Sequence, residues 1–155
     1  MLIVPHTCPD VPAMREMPVI MYNEDQFNNP EFHADFVLDI DDEIDTKLQI
    51  ADLNVSQVYQ WLPYTFGEEA PADPKERFEW LKGMNITADT TDKEVMAATR
   101  GYAVDYAKVA ARFRKELIKK YGRKRGRKIR YAEAYELCEY GAPLTEELRK
   151  ALIID

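Results

Sequence analysis

The chain has 155 residues, 46% of them apolar and 11% aromatic, which suits one domain with a real core and excludes a disordered tail. Its two cysteines, Cys8 and Cys138, have no metal-ligand spacing and build no disulfide framework, so a reducing, cytoplasmic setting is expected. Net charge is −7, split unevenly: residues 1–90 carry 18 acidic and 5 basic side chains, residues 91–155 carry 10 and 16. The bland reading of that split is two halves that attract each other.

The start, Met1-Leu2-Ile3-Val4-Pro5, lacks a basic region and a long apolar run, so neither a signal peptide nor a membrane span is expected. Pro5, Pro9, Pro12 and Pro18 favour extended or turn backbone. Pro18–Tyr22 reads as a short buried strand with proline at its entry, and Phe36–Ile40 as a second one, after a polar loop.

Asp41, Asp42 and Glu43 put negative charge on the first turn of a helix, where the dipole favours it. Ile44, Leu48, Ala51, Val55, Val58 and Leu62 then form one apolar stripe, expected to pack on the two strands, and Pro63 is expected to stop the helix. A short helix follows from Pro74 to about Lys82, with Phe78 and Trp80 on its body. Thr91-Asp92-Lys93-Glu94 is a capping box, and from Val95 to Tyr121 helical spacing predicts one long helix with Gly122 as its left-handed cap. Tyr131 to Tyr140 reads as helical, and a last short helix starts near Thr145. Two strands alone cannot bury themselves in water, so the remaining strands are expected from a missing N-terminal segment or from a partner copy in a homo-oligomer.

Little in this pattern carries chemistry by itself. Asp39-x-Asp41-x-Glu43-x-Asp45 is similar to a calcium loop, but Ile44 stands where the turn glycine is needed and Ile50 where the bidentate glutamate belongs. His6, Cys8 and Asp10 follow no established zinc spacing, and His33 is the only other histidine. The basic run from Lys119 to Arg130 has the density to bind phosphates or an anionic surface. No nucleic-acid motif accompanies it in an acidic chain, so a solvated linker is the favoured reading and nucleic acid is not an expected partner.

Read in order, the phrases Pro18-Val19-Ile20-Met21-Tyr22, Phe32 to Ile40, Lys47-Leu48, Ser56-Gln57-Val58-Tyr59-Gln60-Trp61-Leu62-Pro63 and Arg127 to Gly141 form a familiar series. Together they resemble the C-terminal part of PIG-L (LmbE-like) zinc-dependent N-acetylglucosaminyl deacetylases, over nearly the whole chain. The resemblance implies an α/β fold: the C-terminal portion of a Rossmann-like deacetylase, two sheet strands followed by a mostly helical extension. Residues 1–66 would be the strands and helix of the deacetylase-like domain, and residues 67–155 an extension packed on it as a single structural unit.

The implied activity is hydrolysis of an acetamide on an amino sugar or glycoconjugate, with a zinc-activated water. The family's zinc motifs, Ala-His-Pro-Asp-Asp and His-Pro-Asp-His, do not occur in this chain. No bound zinc and no catalytic residue are therefore expected here, and the chain alone is expected to be inactive. The substrate-binding residues that the resemblance implies are Tyr22, Asn54, Ser56 and Gln57. Asn54 stands where relatives often have a histidine. The alternative is a non-catalytic interaction module that binds a partner protein or an anionic polymer through the long helix and the basic linker.

Overall fold

The computed structural model describes residues 10, 12, 15–24 and 31–152. The fold is mixed α/β, half of it helical, with a small three-stranded antiparallel sheet and seven α-helices among the described residues. The strands are β1 (Met21–Asn23), β2 (Phe36–Asp39) and β3 (Ala132–Leu137), in the order β1-β3-β2. The helices are α1 (Ile44–Leu53), α2 (Leu62–Phe66), α3 (Pro74–Lys82), α4 (Asp92–Ala97), α5 (Tyr102–Arg112), α6 (Arg114–Gly126) and α7 (Glu146–Ala151). A π-helical turn, Ser56–Trp61, joins α1 to α2. No helix among the described residues is long and apolar enough to cross a membrane.

The chain forms two compact units, a smaller one of Met1–Phe36 with Tyr135–Asp155 and a larger one of Val37–Ala134. In the smaller unit β1 pairs antiparallel with the end of β3, with Met21 opposite Leu137 and Asn23 opposite Tyr135. The pairing continues beyond the regular ladder: the carbonyls of Ile20 and Pro18 accept from the N–H groups of Cys138 and Ala142 at 2.9 Å each. The expected strand over 18–22 is therefore present in this wider sense, but it is not buried: Tyr22 is exposed and Val19, Ile20 and Met21 are only half-buried. Asp35 ties down the turn before β2, accepting from the Leu137 N–H at 2.7 Å, and the Phe36 ring stacks on Tyr135 at 5.6 Å.

The third strand corrects the sequence reading, which placed a helix over 131–140 and only two strands in the chain. Alanine, glutamate and leucine favour helix weakly, but propensity yields to tertiary context. Ala132 and Ala134 are fully buried while Glu133 between them is half-buried, which is the two-residue period of a strand.

In the larger unit the stripe on α1 is buried at Ile44, Leu48 and Ala51, but α1 packs on α3 and α5 rather than mainly on strands. Val58 is buried as expected, whereas Val55 is exposed and Leu62 only half-buried. The reason is a break at Asn54, whose ψ of 62° leaves the helical range. The expected helix over 92–121 is likewise three pieces. Ala98 and Gly101 separate α4 from α5, and Phe113 (ψ 29°) separates α5 from α6. Gly122 has the positive φ expected of a cap, 80°, but chain geometry returns to helix after it, so it marks a kink. The capping box is present as read: the Thr91 hydroxyl accepts from the Glu94 N–H, and the Glu94 carboxylate accepts from the Thr91 N–H at 2.7 Å.

Candidate functional site: the π turn and its neighbouring cavity

Three of the four residues singled out by the resemblance, Asn54, Ser56 and Gln57, lie together where α1 gives way to the π turn. Proline has no N–H and its ring clashes with the carbonyl four residues back. Here Pro63 sits in the first turn of α2 and does not stop the helical path, contrary to the expectation from sequence. The turn before it widens instead, so that the Leu62 N–H reaches the carbonyl of Gln57, five residues back. Asn54 restarts the path by accepting from the Val58 N–H at 2.9 Å. All three side chains are exposed.

Tyr59 anchors the turn from within. It is buried, and its hydroxyl donates to the Asp52 carboxylate at 2.5 Å. Its ring lies 5.5 Å from the Arg77 guanidinium and 6.0 Å from the Trp80 ring. Burial, then the bond to Asp52, pushes the hydroxyl well above the usual tyrosine range.

The same segment walls a cavity of about 120 Å³, to which it contributes Val58, Leu62 and Pro63. Phe66, Trp80 and Tyr102 add aromatic surface. Arg100 closes one side, stacked 4.4 Å over Trp80 and paired with Glu68 at 3.1 Å. Asp105 stands at the edge of the cavity. Desolvation by neighbouring groups raises its carboxyl above the usual range, with Lys108 pulling the other way. An aromatic surface with one ion pair and one further carboxylate suits a small, partly apolar and hydroxylated ligand. Sequence reading missed Arg100 and Asp105 because both were placed on one uninterrupted helix. The Arg100-Gly101 pair was the available signal for a break there.

Tyr22, the fourth residue, belongs to the smaller unit, on β1. Its hydroxyl accepts from the Cys138 thiol at 3.0 Å and donates to Glu139 at 3.4 Å. The thiol bond, followed by burial, holds the phenol above its ordinary range. His6 and Cys8 lie outside the described residues. Among the described residues no three His, Cys, Asp or Glu side chains gather as a metal site would require, the Asp39–Asp45 run included. Its acids instead hold the neighbouring chain: Asp41 accepts from the N–H groups of Arg130 and Tyr131 at 2.9 and 2.8 Å, and Asp39 pairs with Arg125 at 2.9 Å.

Compared with known proteins, the chain matches no family model, no curated protein and no solved structure.

Proposed function

We propose that this chain is the C-terminal segment of a metal-dependent deacetylase acting on N-acetylglucosamine-type sugars or glycoconjugates, in a Rossmann-like, cytoplasmic enzyme. The observation that carries the reading is where apolar surface stays in contact with water. Of the twelve large hydrophobic residues exposed among those described, six (Ile50, Leu53, Val55, Trp61, Tyr64 and Phe66) fall within residues 50–66. That stretch contains the Ser-Gln and Trp-Leu-Pro phrases on which the resemblance rests. Exposed apolar side chains gathered in one stretch of chain are consistent with cover by another body. In this reading the covering body is the metal-bearing segment of the same enzyme, and the aromatic cavity beside the π turn contacts the sugar. Zinc would supply the activated water from that other segment. The residues of this chain would hold and orient the sugar.

The test is direct. The coding region upstream of the codon for Met1 is read, and any metal-motif segment found there is expressed together with this chain. Zinc-dependent acetate release from N-acetylglucosamine substrates is expected from the pair and not from the 155-residue chain alone. An upstream region with no His-Pro-Asp-Asp motif in frame would overturn the proposal. So would full activity of the metal-motif segment in the absence of this chain.

A further inference from the structure

The basic run divides sharply once its partners are known. Arg125 and Arg130 are committed to Asp39 and Asp41, at 2.9 and 3.6 Å. Arg114, from the start of α6, holds the loop after that helix from beneath. Its guanidinium donates to the carbonyls of Gly126 and Ile129 at 2.9 and 2.6 Å, and pairs with both oxygens of Asp92 at 2.7 and 3.1 Å. Asp41 takes the next two N–H groups, those of Arg130 and Tyr131. The loop is thus clamped at 126, 129, 130 and 131, while Arg127 and Lys128 between the clamps stay exposed, with no ion pair to either among the described residues.

These two cations line a cleft of about 180 Å³. Thr87 and Thr90 also line it, on a turn in which the Thr90 hydroxyl accepts from the Thr87 N–H at 2.9 Å and stands 3.3 Å from the Thr87 hydroxyl. Within the cleft the charge of Arg114 is cancelled by Asp92, and that of Arg130 by Asp41. Arg127 and Lys128 remain uncompensated, in a chain whose net charge is −7. Holding two like charges side by side on a fixed loop costs free energy unless an anion meets them.

We infer that this cleft is a binding site for a phosphate group, either free or carried by a small ligand. Arg127 and Lys128 supply the charge, and the hydroxyls of Thr87 and Thr90 are hydrogen-bond donors to its oxygens. Charge-assisted bonds to phosphate are the strong kind, and a loop already clamped loses little further freedom on binding. The cleft is concave and shares no residue with the cavity beside the π turn. Its size and its two free cations match one phosphate group rather than the length of a polymer, and the acidity of the chain opposes a polyanion.

The experiment is calorimetric titration of the whole chain with inorganic phosphate at low ionic strength, repeated on two double variants whose melting curves confirm folding. Saturable binding is expected, weakened at least about tenfold in R127A/K128A through loss of charge-assisted bonds. In R123A/K124A, which alters cations outside the cleft, the change is expected to stay within about twofold, as for peripheral charges. Glucosamine 6-phosphate in a parallel titration separates a phosphorylated ligand from free phosphate: tighter binding of the ester assigns the former, equal binding the latter, and both keep the site. No saturable binding overturns the inference. Equal losses in both variants, with a single-stranded oligonucleotide or anionic vesicles bound in preference to phosphate, would replace it with an extended polyanion surface.

Discussion

Gly83 and Gly101 face each other at the point where the end of α3 passes the start of α5, so closely that a side chain on either would strike the other. A Cβ on Gly101 would lie 2.5 Å from the Lys82 carbonyl oxygen and 2.7 Å from the Gly83 Cα, and a Cβ on Gly83 would meet the Arg100 carbonyl. Both residues also have positive φ, 77° and 132°. Steric overlap with backbone, added to an unfavourable φ, predicts that Gly83→Ala and Gly101→Ala each cost more than about 2 kcal/mol. Urea melts of the two variants measure this. A neutral result at either position would mean that α3 and α5 do not cross here.

Leu48 and Gln57 should respond in opposite ways to truncation. Leu48 is 2% exposed in the core formed by α1, α3 and α5, so Leu48→Ala should cost roughly 2–5 kcal/mol. Gln57 is exposed, and Gln57→Ala should stay within about 0.5 kcal/mol. Under the proposed function Gln57→Ala should instead weaken sugar binding in the assembled enzyme. Denaturant melts and binding measurements keep the two effects apart.

Alkaline stability should depend on Tyr59. Its folded-state pKa is raised, so the unfolded chain loses this proton first. The contribution is fully present below the ordinary tyrosine value of about 10 and declines as pH rises from there through the higher folded value. Tyr59→Phe should cost roughly 0.5–1.5 kcal/mol at neutral pH through the lost bond to Asp52. It should also flatten the decline at high pH. Melting curves from pH 8 upward test both parts. An unchanged alkaline slope would show that other tyrosines set it.

At the acid end, the capping box gives a local reporter. The bonds from Thr91 hold the Glu94 carboxyl below its ordinary pKa. A lowered carboxyl pKa stabilises the fold above the unfolded-state value, and that support disappears as pH falls through the folded value. Thr91→Ala should cost about 1 kcal/mol as a lost helix cap. It should move the Glu94 pKa upward, as read by carboxyl NMR titration. A Glu94 pKa unchanged in the variant would assign the shift to the backbone N–H at position 91, which alanine keeps.

What could be read from the residues follows how local each determinant is. The capping box at Thr91–Glu94, the helix after Pro74 and the α1 core positions depend on neighbours in sequence, and their letters were sufficient. The errors share a different origin. Asn54 sits within the apolar stripe and Pro63 directly after it, and periodicity alone does not show that the backbone leaves the α-helical path between them while remaining wound. Gly101 falls inside the stretch that spacing predicts as one long helix, and its opposite number, Gly83, is visible only in three dimensions. Ala132-Glu133-Ala134 has the letters of a helix and the burial of a strand, and its strand character comes from its place beside β2 in the sheet. For the candidate site, Ser56 and Gln57 were found by resemblance, whereas Arg100 and Asp105 join Val58 and Phe66 only through folding.

The late position of β3 has a consequence for how the molecule is made. β1 and β2 both precede β3 in the chain, yet in the sheet they are joined only through that strand, which emerges far behind them: Asp35 and its partner Leu137 are 102 residues apart. While the chain is still leaving the ribosome, the larger unit can assemble its helices from contacts close in sequence, but neither early strand has a hydrogen-bonding neighbour. Closing such a distant pair is slow, and strand edges exposed in the interval are prone to associate with other chains. Emergence of β3 should therefore be the step that lets the sheet form. A chain ending before residue 131 would keep α1 to α6 but lack β3, and would carry the aggregation hazard of two unpaired strands.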